Sequence, residues 1–318
     1  MYLIILMHII YFMKADTKPY LYDSISEYQR DLDLPKPLHP LVSVVNLNDI
    51  NARDHKYKSI VLNFYKISFI TGSKSKIKYG QNYFDFEEGG LFFISPNQII
   101  SVVHNSDKLS GISIYLHPDL IRHHSLGKKI RNYGFFSYSI SEALHLSEKE
   151  KEVILGLFKQ IEAELHSAID TFSQDLLASY VELLLDYSDR YYTRQFITRK
   201  TENHDLVSRL ENVLADYFDG GKAMASGLPT VQYVSGKLNF SADYLSDMLR
   251  TYTGQNTQQH IHNKLIEIAK ELLSTSDLTI AQVAYQLGFE HPQSFNKLFK
   301  QKANTSPTVY RQSFTSIS

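Results

Sequence analysis

Hydrophobic and polar positions recur at helical spacing over the last ninety or so residues, and the same arrangement occurs twice, at 234–254 and at 283–304. In each copy an apolar turn leads to a residue that tolerates positive φ and then to an aromatic residue expected to be buried: Asn239 and Phe240 in the first copy, Gly288 and Phe289 in the second. A second amphipathic helix follows. The arrangement predicts two helix-turn-helix motifs built on one plan.

Capping residues mark the ends of the second helix in each motif. Ser241 predicts an N-cap, and Pro292 predicts a first helical position, where its missing N–H costs nothing. Gly254 and Asn304 suit the left-handed backbone that ends a helix. The apolar positions of both helices are predicted to face inward: Leu245, Met248 and Leu249 in the first motif, and Phe295, Leu298 and Phe299 in the second.

A single helix is predicted between the two motifs. Apolar residues from 260 to 273 fall on one helix face, and Thr279 with Gln282 forms a capping box that starts the next helix. A rigid connection of this kind would hold the two second helices about 34 Å apart, which is roughly one turn of DNA. Both helices could then enter successive major grooves on one face of a duplex.

The polar faces of the two second helices supply the candidate DNA contacts. These are Asp243, Ser246, Asp247 and Arg250 in the first motif, and His291, Gln293, Asn296, Lys297, Lys300 and Lys302 in the second. Residues 228–314 hold eight lysines and arginines against six carboxylates, which is a small excess for a DNA-binding surface. We expect phosphate attraction to concentrate in the second motif, where the basic residues cluster: Lys297, Lys300, Lys302 and Arg311.

The segment from Leu228 to Phe314, which includes GF at 288–289, SFNKLFK at 294–300 and SPTVYR at 306–311, resembles the DNA-binding domain of AraC/XylS-type transcription regulators. The resemblance implies that the second helix of each motif reads bases, through Asp243, Ser246, Asp247, Gln293, Asn296 and Lys297. It also implies activation of transcription by engagement of RNA polymerase. Asp243 and Asp247 depart from the basic or amide residues common there, since a carboxylate repels phosphate and accepts only from donors such as cytosine N4.

Residues 40–120 are predicted to be all-β. Short runs rich in Val, Ile, Phe and Tyr are broken by turn signals such as Pro96-Asn97 and Gly111, which is typical of a small barrel or jelly roll. The EEGGLFFISPNQ block at 87–98 resembles, more weakly, the cupin-like sensor domain of many such regulators. That likeness implies a small-molecule effector site, whose residues the sequence does not identify.

Two helices are predicted after the β region. Ser147 and Glu150 form a capping box ahead of one apolar stripe: Val153, Ile154, Leu157, Phe158, Ile161 and Leu165. The second stripe is Leu176, Leu177, Tyr180, Val181, Leu184 and Tyr187. These helices are expected to pack on the barrel and, as similar helices do in the resembled family, to build a homodimer contact.

The expected fold class is therefore a multidomain α+β chain: an N-terminal cupin-like barrel with two packing helices and a C-terminal all-α domain. The expected bounds are 1–35 for an N-terminal extension, 36–192 for the barrel domain, 193–203 for a linker and 204–318 for the DNA-binding domain. The first thirteen residues are apolar but short of the roughly twenty that cross a bilayer. They also lack the features of a signal peptide, so Met13 is a candidate start.

The chemistry-bearing residues give little support to catalysis. The 318-residue chain has no cysteine, which excludes disulfides and thiolate metal sites and is compatible with the cytoplasm. No β run contains the closely spaced histidine pair of metal cupins, and His260 with His262 lies on the connecting helix. We expect no cofactor, no metal and no enzymatic activity.

The sequence thus favours a cytoplasmic, sequence-specific regulator, most simply an activator, that binds double-stranded DNA and RNA polymerase as a homodimer. A small effector in the barrel would shift the positions of the two motifs between two states. The alternative is a cupin-type enzyme with an appended nucleic-acid-binding module, which stoichiometric metal in the purified protein would indicate.

Overall fold

The computed structural model describes residues 18–50, 57, 59–71, 77–79, 82–84, 89–101, 110–168, 170–198 and 200–315. Met13 and the apolar N-terminal segment lie outside these residues. The chain divides into two compact units, Met1–Tyr192 and Thr193–Ser318, called here the N-terminal and C-terminal units. The first combines strands and helices, and the second is helical throughout its described elements.

The strands of the N-terminal unit form three sheets. They are β1 (Tyr20–Tyr22), β2 (Val42–Asn46), β3 (Ser59–Leu62), β4 (Tyr65–Thr71), β5 (Ile77–Tyr79), β6 (Asn82–Phe84), β7 (Gly90–Ile94), β8 (Ile99–Ser101) and β9 (Ser110–Leu116). Their orders are β1-β3-β8, β2-β9-β4-β7 and β5-β6. Only β1 and β3 pair in parallel; the other pairs among the described strands are antiparallel. The all-β prediction for this region therefore agrees with the described residues, whereas the cupin-like barrel stays a prediction.

The core of the N-terminal unit joins the two larger sheets. In the four-stranded sheet Ser43, Tyr115 and Lys66 stand in one cross-strand row, and Ser113 pairs with Ser68 in the next. Because side chains alternate between the faces of a strand, these residues share one face of the sheet. Tyr115 on that face belongs to one core cluster with residues of the three-stranded sheet, of helix α1 (Ile25–Asp31) and of the turn after β3: Tyr22, Leu62, Ile25, Tyr28 and Phe64.

The N-terminal extension predicted over 1–35 is not separate from the sheets where it is described. Strand β1 pairs with β3, Tyr20 opposite Ile60, and Ile25 of α1 is fully buried. Ser24 caps α1 by accepting a hydrogen bond from the Glu27 amide at 3.2 Å. Residues from Tyr20 onward thus belong to the folded unit, because their apolar side chains complete its core.

Helices α2 (Pro118–Ile121), α3 (Leu126–Lys129), α4 (Glu148–His166) and α5 (Ser173–Thr198) complete the first part of the chain. The predicted capping box of Ser147 and Glu150 is present at the start of α4. Much of each predicted stripe is buried within the protein itself: Ile154, Leu157, Phe158 and Ile161 on α4, and Leu177, Val181 and Leu184 on α5.

A charged cluster holds α3 against α5. Lys129 Nζ lies 2.7 Å from an oxygen of Asp186 and 3.1 Å from Glu182, and the Tyr133 hydroxyl donates to Asp186 at 2.5 Å. Burial would raise the pKa of Asp186, but hydrogen bonds from Lys129 and Tyr133 outweigh it and lower that pKa. The carboxylate is therefore held in its charged form.

The linker predicted over 193–203 is helical where it is described. Helix α5 runs to Thr198, and α6 (Lys200–Asp219) begins two residues later. A polar and basic composition is typical of a linker, but polar residues also suit the exposed side of a helix. Phe196 in this stretch is buried and packs edge-on against Tyr244, with ring centroids 5.1 Å apart.

The C-terminal unit continues with short and long helices. They are α7 (Lys222–Ser226), α8 (Val231–Leu238), α9 (Ala242–Thr253), α10 (Thr257–Thr275), α11 (Ile280–Gln286), α12 (Pro292–Ala303) and α13 (Pro307–Thr315). The stretch 220–227, which contains three glycines and a serine, includes helix α7. Among the described residues, no helix combines the length and apolar character needed to cross a membrane.

Candidate nucleic-acid interface

Two tight turns have the same hydrogen bonds. In the first, the Phe240 amide donates to the Ser235 carbonyl at 2.9 Å; in the second, the Phe289 amide donates to the Ala284 carbonyl at 3.0 Å. The residue before each aromatic has positive φ, +63° at Asn239 and +91° at Gly288, as predicted. These shared bonds fix α8–α9 and α11–α12 as two helix-turn-helix motifs of similar geometry.

The second turn is held by a close backbone approach. A Cβ atom on Gly288 would lie 2.7 Å from the Ala223 carbonyl oxygen and 2.8 Å from the Gly227 carbonyl carbon. The Tyr217 hydroxyl donates to the Gly227 carbonyl at 2.9 Å, which fixes the segment that approaches the turn. Helices α6 and α7, which precede both motifs in sequence, therefore brace the second one.

Helices α9 and α12, called here the reading helices, begin and end where the sequence predicts. Ser241 accepts a hydrogen bond from the Tyr244 amide at 3.3 Å, and Pro292 is the first residue of α12. Gly254 and Asn304 end the helices with φ of +75° and +56°. The predicted inward residues are buried, apart from half-buried Leu298: Leu245, Met248, Leu249, Phe295 and Phe299. Phe240 is also half-buried rather than buried as predicted, and it stacks on Tyr244.

The outward face of α9 is only partly available to a ligand. Asp243 is exposed, but Ser246 is half-buried, and its hydroxyl lies 3.0 Å from the hydroxyl of Thr257, a buried residue at the start of α10. Asp247 forms an ion pair with Arg250, whose Nη1 lies 2.6 Å from Asp247 Oδ1. Two of the four predicted contacts are thus bound to each other, and a third is bound to the connecting helix.

The outward face of α12 is more open. His291, Gln293, Asn296, Lys297, Lys300 and Lys302 are all exposed. Within the described part of the chain, the side chains of Gln293, Asn296, Lys297 and Lys300 have no hydrogen-bond or ion-pair partner. A row of solvated lysines without carboxylate partners on the same helix favours contact with phosphate. Three members of the predicted basic cluster, Lys297, Lys300 and Lys302, are thus exposed on this helix.

Arg311 differs from the other basic residues of that predicted cluster. Its Nε donates to the Leu273 carbonyl at 3.2 Å, near the end of α10. A guanidinium that binds a free carbonyl at a helix C-terminus stabilises that end. Arg311 therefore stabilises the packing of α13 on α10. From the sequence alone, Arg311 is grouped with the lysines expected to attract phosphate.

An open groove of about 670 Å³ runs along the first motif. Its walls come from the outward side of α9 and from the first residues of α8 and α10. They include Thr230, Gln232, Asp243, Ser246, Asp247, Arg250, Asn256 and Gln258. The N-termini of α8 and α10, capped by Thr230 and Asn256, face the same groove as the α9 side chains. Helix N-termini favour negative charge, so they offset part of the repulsion from the two aspartates.

The connecting helix α10 carries two histidines. His260 Nε2 lies 2.9 Å from the Thr253 hydroxyl at the end of α9, and burial lowers the pKa of His260 although Glu211 opposes the shift. Burial also lowers the pKa of His262, and nearby Lys302 adds to that effect. Together with the Ser246–Thr257 bond, the His260–Thr253 bond joins α9 to α10. Among the described residues, no three His, Cys, Asp or Glu side chains are placed to hold a metal ion.

Sequence reasoning did not identify Thr257 or His260 as partners of α9. The capping box of Asn256 and Gln259, present in the structure, would have marked the start of α10 one turn earlier than 260. That start would have placed Thr257 at the first helical position. Its contact with Ser246, eleven residues away, still depends on how the two helices pack.

Comparison with known proteins identifies several relatives. The helix-turn-helix domain family matches residues 234–313. The regulatory protein SoxS of Salmonella typhimurium is 30% identical over 81 residues, which is 26% of this chain and 76% of SoxS. The raffinose operon transcriptional regulatory protein RafR of Pediococcus pentosaceus is 22% identical over 174 residues, which is 55% of this chain and 60% of RafR.

A solved structure and a longer relative complete the comparison. The C-terminal domain of the two-component response regulator yesN from Fusobacterium nucleatum is 30% identical and matches with a TM-score of 0.28, over 31% of this chain and 95% of that domain. The histidine kinase P4 of Formosa agariphila is 24% identical over 143 residues, which is 45% of this chain but only 10% of the kinase. The chain thus spans a tenth of one relative and six tenths of RafR.

Proposed function

Because the chain belongs to the AraC/XylS family of DNA-binding transcription regulators, we propose that it activates promoters that it recognises through both helix-turn-helix motifs. The observation that carries this proposal is the open face of α12, where Gln293, Asn296, Lys297 and Lys300 are exposed and unpaired among the described residues. Amides bind adenine edges and lysines bind guanine or phosphate in the major groove. The proposed function includes no catalytic step and is exercised on double-stranded DNA in the cytoplasm.

The two motifs contribute unequally to binding. The second supplies most of the attraction to phosphate, because its outward face carries lysines and no carboxylate. The first carries Asp243 and the Asp247–Arg250 pair, so its electrostatic attraction to DNA is weak. Connection through α10 lets the second motif anchor the protein while the first adds discrimination between sequences.

Selection of bound fragments from random DNA with the full chain tests the function. We expect an enriched motif with two half-sites about one helical turn apart, and preference for that motif over random competitor at moderate salt. No preference at any salt concentration would contradict DNA-sequence recognition. To test activation, the selected motif is placed upstream of a promoter and transcribed with purified RNA polymerase. An activator would raise the transcript yield, whereas a repressor would lower it.

A small-molecule effector is proposed to bind between the sheets of the N-terminal unit. Among the described residues, the Tyr115 hydroxyl and Gln29 Oε1 are buried without a hydrogen-bond partner. On the same sheet face as Tyr115, the Ser68 and Ser113 hydroxyls lie 2.7 Å apart. A buried polar group without a partner costs about 1–3 kcal/mol, so a polar ligand that satisfied it would stabilise the fold. This arrangement supports a ligand with hydrogen-bonding groups rather than a purely apolar one.

Thermal shift measurements against a panel of polar metabolites test the effector. We expect a rise in melting temperature with one chemical class, and a smaller rise in Tyr115→Phe, which keeps the ring and removes the hydroxyl. Leu21→Gln, at an exposed position of β1, is the control and should respond like the wild type. An equal shift in wild type and Tyr115→Phe would place the ligand elsewhere.

A homodimer is proposed through the outer side of α5. Phe172 just before the helix is 69% exposed, and Leu176 and Leu183 are 44% and 45% exposed, on one side of the helix at spacings of four and seven. Half-buried Tyr180 and Tyr187 flank them. A contiguous exposed apolar row on the longest described helix favours a second copy of the same helix as its partner. The dimer would present two DNA-binding units to one promoter.

A further inference from the structure

One side-chain pair on α9 has a geometry that the proposed function does not use. Asp247 and Arg250 are three residues apart on the same helix face, and Arg250 Nη1 lies 2.6 Å from Asp247 Oδ1. Both side chains line the groove along the first motif. The pair is therefore placed where the edge of a DNA base would approach the reading helix.

The two members of the pair differ in depth. The Asp247 side chain is 29% exposed, whereas the Arg250 side chain is 57% exposed. The guanidinium is thus the more accessible of the two groups. A ligand in the groove can contact the arginine, and the aspartate can then act on that ligand by holding the arginine in place.

The guanidinium of Arg250 can bind Asp247 and a second ligand at the same time. Arginine has five N–H donors in a rigid planar fork, and the contact with Asp247 occupies Nη1. The remaining donors include those of Nη2 and Nε, which are spaced to bind two acceptors side by side. In the major groove, guanine offers such a pair of acceptors at O6 and N7. Fixing the fork in advance lowers the entropy lost when a base is bound.

The other outward residues of α9 fit base reading less well. A carboxylate on Asp247 is repelled by phosphate, and its charge is already matched by Arg250. The Ser246 hydroxyl is bound to Thr257 at 3.0 Å. Arg250 is the outward cation of α9, so it is the group on this helix with most to gain from contact with DNA.

The matching positions of the second motif lack this arrangement. Counted from the helix stops Gly254 and Asn304, Asp247 corresponds to Lys297 and Arg250 corresponds to Lys300. Two lysines three residues apart repel each other, and neither has a partner among the described residues. A lysine is a flexible point charge suited to phosphate, whereas a fixed arginine fork suits a base.

We propose that Arg250 recognises a guanine in the half-site of the first motif, and that Asp247 is a positioning residue that holds the guanidinium for this contact. The inference rests on the proposed function, because it assigns a role within DNA-sequence recognition. Asp247 then raises selectivity although its charge opposes binding to DNA in general. A purely structural ion pair would not combine higher selectivity for one base with weaker binding to DNA in general.

The test compares full-length variants on the selected operator and on all of its single-base substitutions. For Arg250→Ala and Arg250→Lys we expect the preference for guanine at one position to fall by roughly 5- to 150-fold, with the other positions unchanged. For Asp247→Asn we expect a smaller loss at the same position, together with tighter binding to random DNA because a negative charge is removed. Asp247→Glu should restore part of the preference.

Background and control variants make the outcome decisive. In an Arg250→Ala background, Asp247→Asn should cause no further loss at the guanine position. Lys300→Ala should weaken binding to all sequences alike. The proposal is overturned if Arg250→Ala leaves every base preference intact, or if Asp247→Asn changes all sequences equally while the melting temperature falls. A wild type without any sequence preference would instead refute the proposed function itself.

Discussion

The backbone at Gly288 passes so close to Ala223 that a Cβ atom on the glycine would lie 2.7 Å from the alanine carbonyl oxygen. The contact joins the turn of the second helix-turn-helix motif to a helix that precedes the first. It means that the second motif, which carries the open lysine face, is braced by α6 and α7. A substitution that disrupts this contact should therefore weaken DNA binding indirectly, because it destabilises the second motif.

Gly288→Ala is expected to destabilise the C-terminal unit by about 2–6 kcal/mol. A side chain there is strained by φ of +91° and collides with the Ala223 carbonyl, and each effect costs about 1–3 kcal/mol. Gly254→Ala is the matched control, because Gly254 has φ of +75° but no atom within 4 Å of the new Cβ. Chemical denaturation of both variants measures the difference; equal losses would mean that the close approach contributes nothing.

Asn296→Ala and Lys297→Ala are expected to weaken specific binding by about 1–3 kcal/mol each, because each removes a base-edge or phosphate contact from the centre of α12. Neither residue has a partner in the described structure, so folding stability should stay unchanged. Fluorescence anisotropy with operator and random DNA measures the effect. Unaltered operator affinity would show that this face does not meet the bases.

Lys300→Ala is expected to act mainly on the salt dependence of binding. Loss of one phosphate contact reduces the slope of log affinity against log salt by about 1, with similar losses for specific and random DNA. Binding isotherms from low to moderate salt give that slope. Lys159→Ala, at an exposed position of α4 in the other unit, should keep the wild-type slope.

The C-terminal unit should lose stability as the pH falls below about 6.5. The folded-state pKa of His260 is lower than its ordinary value of 6.5, chiefly because the ring is partly buried, so the unfolded chain binds a proton that the folded chain resists. The stability due to neutral His260 is thus complete above pH 6.5 and declines as the pH drops through that value. Denaturation midpoints at pH 7.5 and 5.5 should differ less in His260→Gln than in the wild type. An unchanged difference would remove His260 as the source.

Leu183→Glu is expected to convert a dimer into a monomer. The side chain is 45% exposed in the middle of the apolar row on α5, so a charge there would have to be buried in the contact between two copies. Gln160→Glu, at an exposed position of α4, adds the same charge outside the row and should leave the dimer intact. Light scattering after size exclusion measures the mass. A wild type that is monomeric at micromolar concentration would contradict the proposed contact.

The predictions that agree with the structure concern residues close together in the chain. The turns at Asn239 and Gly288, the cap at Ser241, and the capping box at Thr279 depend on hydrogen bonds between residues three to five apart. The amino acids that make such bonds are adjacent in the sequence and have strong preferences for them. Duplication of the pattern then indicates two similar motifs. The helical spacing of apolar and polar residues in α12 predicts which of its faces is exposed.

The predictions that differ concern segments with ambiguous composition. Residues 193–203 are predicted to form a linker, yet α5 and α6 occupy their described positions. The first thirty-five residues were read as an extension, yet β1 and α1 bury Tyr22 and Ile25 in the core. In each segment, packing against distant residues decides the structure, and local propensity is too weak to show it.

The sequence by itself determined the two motifs, their turns and stops, and the polar character of each reading helix, because these depend on neighbours within one helical turn. Only the tertiary structure decided which polar residues are available. Ser246 is bound to Thr257, Arg311 is bound to the Leu273 carbonyl, and Gly288 is pressed against Ala223, over separations of 11 to 65 residues. Contacts over such distances exist only after helices have packed, because packing brings together groups that the chain order keeps apart.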